Sequence, residues 1–312
     1  MLKQVMEIHE LLDSPRAGGG EVGDLIRKRG ADEVTVRRIE GARGATDFIK
    51  VRIKGSAGGA KSAQVPTVGI IGRLGGIGAR PERVGLVSDA DGAVAALSCA
   101  LKLADMASAG DRLHGDVIIC THICPDAPTQ PHDPVPFMGS PVDMAIMNEQ
   151  EVDPAMSVIL SIDATKGNRV LNRRGFAISP TVKEGYILRV SEDLLDIMTW
   201  STGLAPVVLP ITMQDITPYG NGLFHVNSIL QPCTATSAPV VGVAITAETA
   251  VPGCGTGASR ETDIEEAARF CLEVAKAVGD GSCRFHDDQE FQRIVSLYGP
   301  MHHLQTPGRT AS

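Results

Sequence analysis

Three short stretches carry acids, a histidine and a cysteine at spacings that could do chemistry, each following an apolar run. Ser88-Asp89-Ala90-Asp91-Gly92 sets two carboxylates two positions apart at a turn leading into an alanine-rich helix. Such a pair could hold a cation or orient a water, although Asp is also a favoured helix N-cap and needs no further role there. Thr121-His122-Ile123-Cys124-Pro125-Asp126 continues the apolar DVIIC. Side chains on a strand repeat every two residues, so His122 and Cys124 share a face, while Pro125 ends the strand and Asp126 begins a loop. All three residue types are competent zinc ligands. A core histidine bonded to backbone, beside a buried inert thiol, is the alternative. Asp163-Ala164-Thr165-Lys166-Gly167 follows SVILSI. A buried carboxylate must find a partner, which favours a functional Asp163 over an Asx-turn. Thr246-Ala247-Glu248 repeats the pattern after VVGVAI, and a solvated loop glutamate fits it equally well.

Other motifs narrow the chemistry. Gly72–Gly78 reads G-x-x-G-G-x-G, which matches neither the P-loop nor the dinucleotide fingerprint. No G-x-S-x-G elbow is present, which argues against a serine hydrolase. His132 and His225 lie in loop-like segments from which either could reach the site, although simple exposure is the stronger account of each, and Arg73 and Lys166 could grip a carboxylated ligand.

The elements that must position these residues follow from periodicity. Thr67–Ile71, Asp116–Ile123, Ser157–Ile162 and Val240–Ile245 are compact apolar runs of buried-strand type. Val84–Val87 is strand-like, and Tyr186–Val190 and Val207–Ile211 are weaker candidates. Helices are expected over Gly92–Met106 and Asp263–Val278, the second capped by Thr262 or Asp263 with Glu265 and Glu266 in its first turn. Val5–Leu12 and Gly20–Arg29 read as short helices, and Glu33–Ile39 and Asp47–Ile53 as two strands of a small sheet. Buried strands alternating with helices predict an α/β fold, with a mostly parallel central sheet and helices on both faces. A small N-terminal α+β appendage over residues 1–65, a main domain over 66–298 and a loose tail over 299–312 complete the expected layout. Ligands of such sheets bind beyond the carboxyl ends of the strands, where the three stretches fall.

Bulk composition sets the outer bounds. With 312 residues, 43% of them hydrophobic, the chain can bury one large core, and at 4% aromatic that core must be aliphatic. A net charge of −8 without a basic stripe argues against nucleic acid and anionic membranes. Seven cysteines, odd in number and without CxxC spacing, suggest reduced, intracellular usage. No apolar run is long enough to span a bilayer and no signal-peptide pattern opens the chain, so a cytoplasmic location is expected. Self-association into a homo-oligomer stays an open alternative.

The motifs in order resemble the di-zinc exopeptidases. Val87-Ser88-Asp89-Ala90-Asp91-Gly92 resembles their metal-bridging aspartate turn, and DVIICTHICPDA the strand that ends in paired glutamates. SVILSIDAT resembles the strand ending in a further metal-binding aspartate, and Ala238–Val278 the last strand, loop and helix. Departures are evident at three places. Cys124-Pro125 stands where the glutamates belong, Gly69-Ile70-Ile71-Gly72-Arg73 where the first ligand histidine belongs, and Gly253-Cys254-Gly255-Thr256 where the last does. The whole chain also resembles an uncharacterised prokaryotic family of unknown function, which implies no activity. The exopeptidase resemblance implies an aminopeptidase-like fold and zinc or another divalent metal, with Asp89 and Asp163 carried over and His122 or Asp126 as substitute ligands.

The expected function is a metal-dependent hydrolase of amide bonds in a small molecule or short peptide. Asp89, Asp163 and His122 would hold the metal, and Asp126 or Glu248 would act as general base. Arg73, Lys166, Asp91 and His225 would contact the substrate. Two rivals remain: a thiol enzyme using Cys124 with His122, and a non-catalytic binding protein on a degenerate exopeptidase fold, gripping its ligand through Arg73 and Lys166.

Overall fold

A computed structural model describes residues 1–14, 16–57, 65–73, 86–124, 127–130, 137–251 and 258–309. Helices α1 (Leu2–Leu12) and α2 (Gly19–Lys28) precede a hairpin of β1 (Glu33–Gly41) and β2 (Gly44–Ile53). Then come β3 (Val68–Gly72), α3 (Asp91–Ser108), β4 (Val117–Ile123), the short pair β5 (Thr129–Gln130) and β6 (Phe137–Met138), and α4 (Met144–Glu151). The second half holds β7 (Val158–Ala164), β8 (Gly175–Ile178), β9 (Val182–Lys183), β10 (Tyr186–Ile187) and α5 (Glu192–Thr202). Strand β11 (Val240–Thr246), α6 (Glu261–Gly279) and α7 (Asp288–Tyr298) follow.

The sheet runs β1-β2-β4-β3-β7-β11-β9-β10, with β8 also on β11. Its centre, β4-β3-β7-β11, is parallel, and these are the four continuous apolar runs. Both flanks are antiparallel, so the sheet is mixed rather than mostly parallel. The residues expected to form an N-terminal appendage instead extend this sheet, because β2 pairs with β4 from Asp47–Ile123 to Ile53–Val117. Strand alternation showed which residues of β2 are buried, but not that their partner lay some 70 positions on.

Alternate residues of the central strands face two separate cores. Ile70, Ile119, Leu160, Ile162, Val243 and Ile245 pack with the apolar residues of α1, α3, α5 and α6. Helix α6 presents Ile264, Ala267, Ala268, Cys271, Leu272 and Ala275, the spacing of one helical face. It starts two residues earlier than expected: Arg260 is the N-cap, and Asp263 pairs with Arg174 at 3.2 Å instead. On the opposite face Ile71, Ile118, Ile159, Val240 and Ala244 meet Ile216, Ile229, Leu230 and Cys233 from a long coil with two single-turn helices.

Two weak strand candidates shrink in the structure. Tyr186–Val190 yields only the two residues of β10, and Val207–Ile211 only an isolated bridge from Val208 to Ile178. The expected loose tail docks through residue 305, where Gln305 Nε2 donates to the carbonyls of Cys233 (2.7 Å) and Thr236 (2.9 Å).

Candidate functional site

Strand β3 is the turning point of the sheet: the chain passes from β3 through α3 to β4 on one side, and later builds β7 and β11 on the other. Crevices at the carboxyl ends of the strands flanking such a switch point are where open sheets bind ligands. The ends of β3 and α3 meet closely there. A Cβ on Gly72 would lie 2.5 Å from the Gly92 carbonyl oxygen, and one on Gly92 would lie 2.5 Å from that of Ile162. Glycine at both positions lets the helix start directly against the strand ends.

Register then assembles the site. Ile71 lies opposite Cys120 on β4 and Ser161 on β7. Two residues on, His122, Arg73 and Asp163 form one row across three adjacent strands, on the face of the coil and α4. Arg73 N donating to the Ile162 carbonyl at 2.8 Å carries the register past the end of β3. Phe48, opposite His122, and Ala244, opposite Asp163, close the row at either side. His122, Arg73 and Asp163 are all buried.

Helix α4 neutralises one half of this row. Glu151 pairs with Arg73 Nη1 through Oε2, and its Oε1 lies 2.6 Å from His122 Nδ1. Asn148, one turn earlier, accepts from Arg73 Nη2 at 2.7 Å. Burial pushes the Glu151 carboxyl up, but the Arg73 guanidinium and His122 outweigh it and hold the group below the usual carboxylate range. The Nε–H of Arg73 is buried without an acceptor among the described residues.

The coil provides the other half. Ser228 Oγ donates to Asp163 Oδ2 at 2.6 Å, and Oδ1 accepts from the Ala164 N–H at 2.8 Å. Burial raises the Asp163 carboxyl to about 6, with Ser228 and Arg73 limiting the rise. Tyr219 is raised by burial and then by Asp163 and Asp215, with smaller effects of Arg73 and Asp89. Gln231 accepts from Tyr219 N (3.0 Å) while its own carbonyl accepts from Asn148 Nδ2 (3.1 Å), tying the coil to α4.

A second buried pair sits at the start of α3. Lys166 Nζ bonds Asp91 Oδ2 and the Ala258 carbonyl (2.8 Å), and Ser259 Oγ reaches Asp91 Oδ1 at 2.5 Å. Burial raises the Asp91 carboxyl against the pull of Lys166.

Several expected roles are corrected by these partners. Arg73 and Lys166 are already neutralised by Glu151 and Asp91, so neither is a free grip for a carboxylated ligand. Glu248 lies exposed in a bend after β11 and bonds none of the row. His225 is half-buried, donates Nε2 to the Thr217 carbonyl at 3.0 Å and stacks on Tyr219 at 4.2 Å, so it reaches the site only through that ring. Cys124 is buried against Val87 and Ala127, its thiol 3.4 Å from the Ala45 carbonyl. Asp89 is buried in the single turn before α3. Asp126, His132, Cys254 and most of Gly72–Gly78 lie outside the described residues.

Two of the ligands implied by the exopeptidase resemblance, His122 through Nδ1 and Asp163, are engaged by the protein itself. Both oxygens of Asp91 also have protein partners. Among the described residues no three His, Cys, Asp or Glu side chains gather as a metal would need.

Fold and site together define a mixed α/β protein with a buried ionised row at its switch point. Residues 37–308 match the family described as "Protein of unknown function (DUF1177)", and the chain belongs to that family. This bears out the resemblance to an uncharacterised family, while the match lends nothing to the exopeptidase resemblance. No curated protein matches the chain. No helix among the described residues is long and apolar enough to cross a membrane.

Proposed function

We propose that this protein is a hydrolase of a small, uncharged amide, acting at the carboxyl ends of β3, β4 and β7 with Asp163 as a proton-transfer group. One observation carries the reading: a buried carboxyl with a proton affinity near neutrality, about 6, sits at the sheet's switch point. A group poised close to the working pH exchanges protons most effectively, and such perturbed carboxyls cluster at functional sites. The orphan Nε–H of Arg73 supports a carbonyl substrate, because a buried donor calls for an acceptor and the substrate oxygen would supply it. Amide as the bond type comes from the exopeptidase resemblance. The pairing of both buried cations with carboxylates supports an uncharged substrate over a carboxylate.

The test is turnover of a panel of small primary and secondary amides by the wild-type protein and by Asp163→Asn. Hydrolysis by the wild type that falls about a hundredfold or more in the variant is expected. Equal rates in the two proteins, or no turnover of any amide, would overturn the reading.

A further inference from the structure

His122 is the one member of the row whose ring has two inequivalent nitrogens, and its surroundings treat them differently. Nδ1 lies 2.6 Å from Glu151 Oε1 with both side chains buried. The second oxygen of Glu151 is held by Arg73, a cation that does not lose its proton in proteins. Glu151 therefore stays ionised, and an ionised carboxylate can only accept. The proton in the Glu151–His122 bond must then belong to the imidazole.

We infer that Glu151 is a positioning residue that fixes His122 as the Nδ1–H tautomer and so leaves the Nε2 lone pair as the proton acceptor at the strand ends, with Asp163 as the proton donor. The arrangement is the general one in which a base is oriented by a third group. Arg73 holds the carboxylate, the carboxylate holds the imidazole, and Asn148 holds Arg73 at 2.7 Å. Phe48 packs against the ring at 5.1 Å between centroids and limits its rotation.

This inference rests on the hydrolytic reading for its role in turnover. Water oxygen adds to the substrate carbonyl carbon while its proton passes to His122 Nε2. The C–N bond then breaks, and the leaving nitrogen takes a proton from the neutral Asp163 carboxyl. Proton return from His122 to Asp163 leaves a carboxylic acid and an amine, with both residues restored.

Ring-nitrogen NMR of histidine-labelled wild-type protein at neutral pH, with His122 assigned through its own backbone, decides the matter. The expected spectrum has Nδ1 protonated and Nε2 bare. In Glu151→Gln the amide can donate as well as accept, so the preference should collapse to a mixture. The kcat on the best amide should fall about a hundredfold with KM unchanged. A wild-type His122 that is protonated on Nε2, whether alone or together with Nδ1, overturns the inference, and that measurement needs no variant to fold. Nδ1–H in a protein that hydrolyses no amide would sink the hydrolytic reading and leave the tautomer assignment standing. Amide hydrolysis with an Nε2–H His122 would do the reverse.

Discussion

The two ends of the central strands differ in what they enclose. At the amino ends a groove of about 780 Å³ opens between Pro66, Met156, Lys183, Pro239 and Phe285. Arg284 and Lys183 line it, and Lys183 Nζ bonds the Ser237 carbonyl at 2.6 Å and Glu184 at 2.9 Å. At the carboxyl ends Arg73, Glu151, His122 and Asp163 are desolvated together. Open volume costs a fold almost nothing to leave in place, whereas an ionised group taken out of water costs several kcal/mol. The desolvated end is therefore the one whose composition points to chemistry.

Substitutions at the two ends should separate this contrast in stability. Glu151→Ala leaves Arg73 buried without its carboxylate, and denaturant unfolding should show a loss of about 3–5 kcal/mol. A loss below about 1 kcal/mol would mean that water reaches the row freely. Asp163→Asn acts in the opposite direction. The carboxyl's rise from 3.8 to about 6 means that ionising it opposes folding, by up to about 3 kcal/mol. Wild type is thus relatively most stable below about pH 4 and loses ground as pH rises through 6. The variant should gain over wild type above pH 6 and show no gain near pH 4, read from unfolding midpoints across that range.

Ser228→Ala removes the hydroxyl that favours ionised Asp163, so the alkaline limb of the activity profile, where the proton-donating carboxyl is lost, should move to higher pH at a cost of about 1.5 kcal/mol. An unmoved limb would detach Asp163 from the titration. Smallest of all, Arg284→Ala on the wall of the open groove should change stability by less than about 0.5 kcal/mol and leave turnover untouched. A large loss of activity there would shift the site to the amino ends.

What the sequence disclosed follows the same division. Four apolar runs and two long amphipathic helices were readable because each buries a repeating set of its own side chains. The strand-end positions of His122 and Asp163 were readable for the same reason. Glu151 was not: within Asn148-Glu149-Gln150-Glu151 it resembles a solvated acidic stretch, and its partners Arg73 and His122 lie 78 and 29 positions away. Ser228, 65 positions from Asp163, carries no local signal either. Residue types at strand ends suggested ligands for a metal, but only the structure revealed that His122 is bonded to Glu151 and Asp163 to Ser228.

The central place of β3 also bears on how the folded molecule forms and how long it lasts. Pairing Ile71 with Ser161 closes roughly 90 residues of intervening chain, the kind of distant contact that slows folding. Arg73 and Glu151 shed their water when β3, β4, β7 and α4 come together, so their pairing is expected late in folding. Weakening that pair should then accelerate unfolding far more than it retards refolding. The buried row thus governs the lifetime of the native state, while the apolar strands around it govern the speed of its assembly.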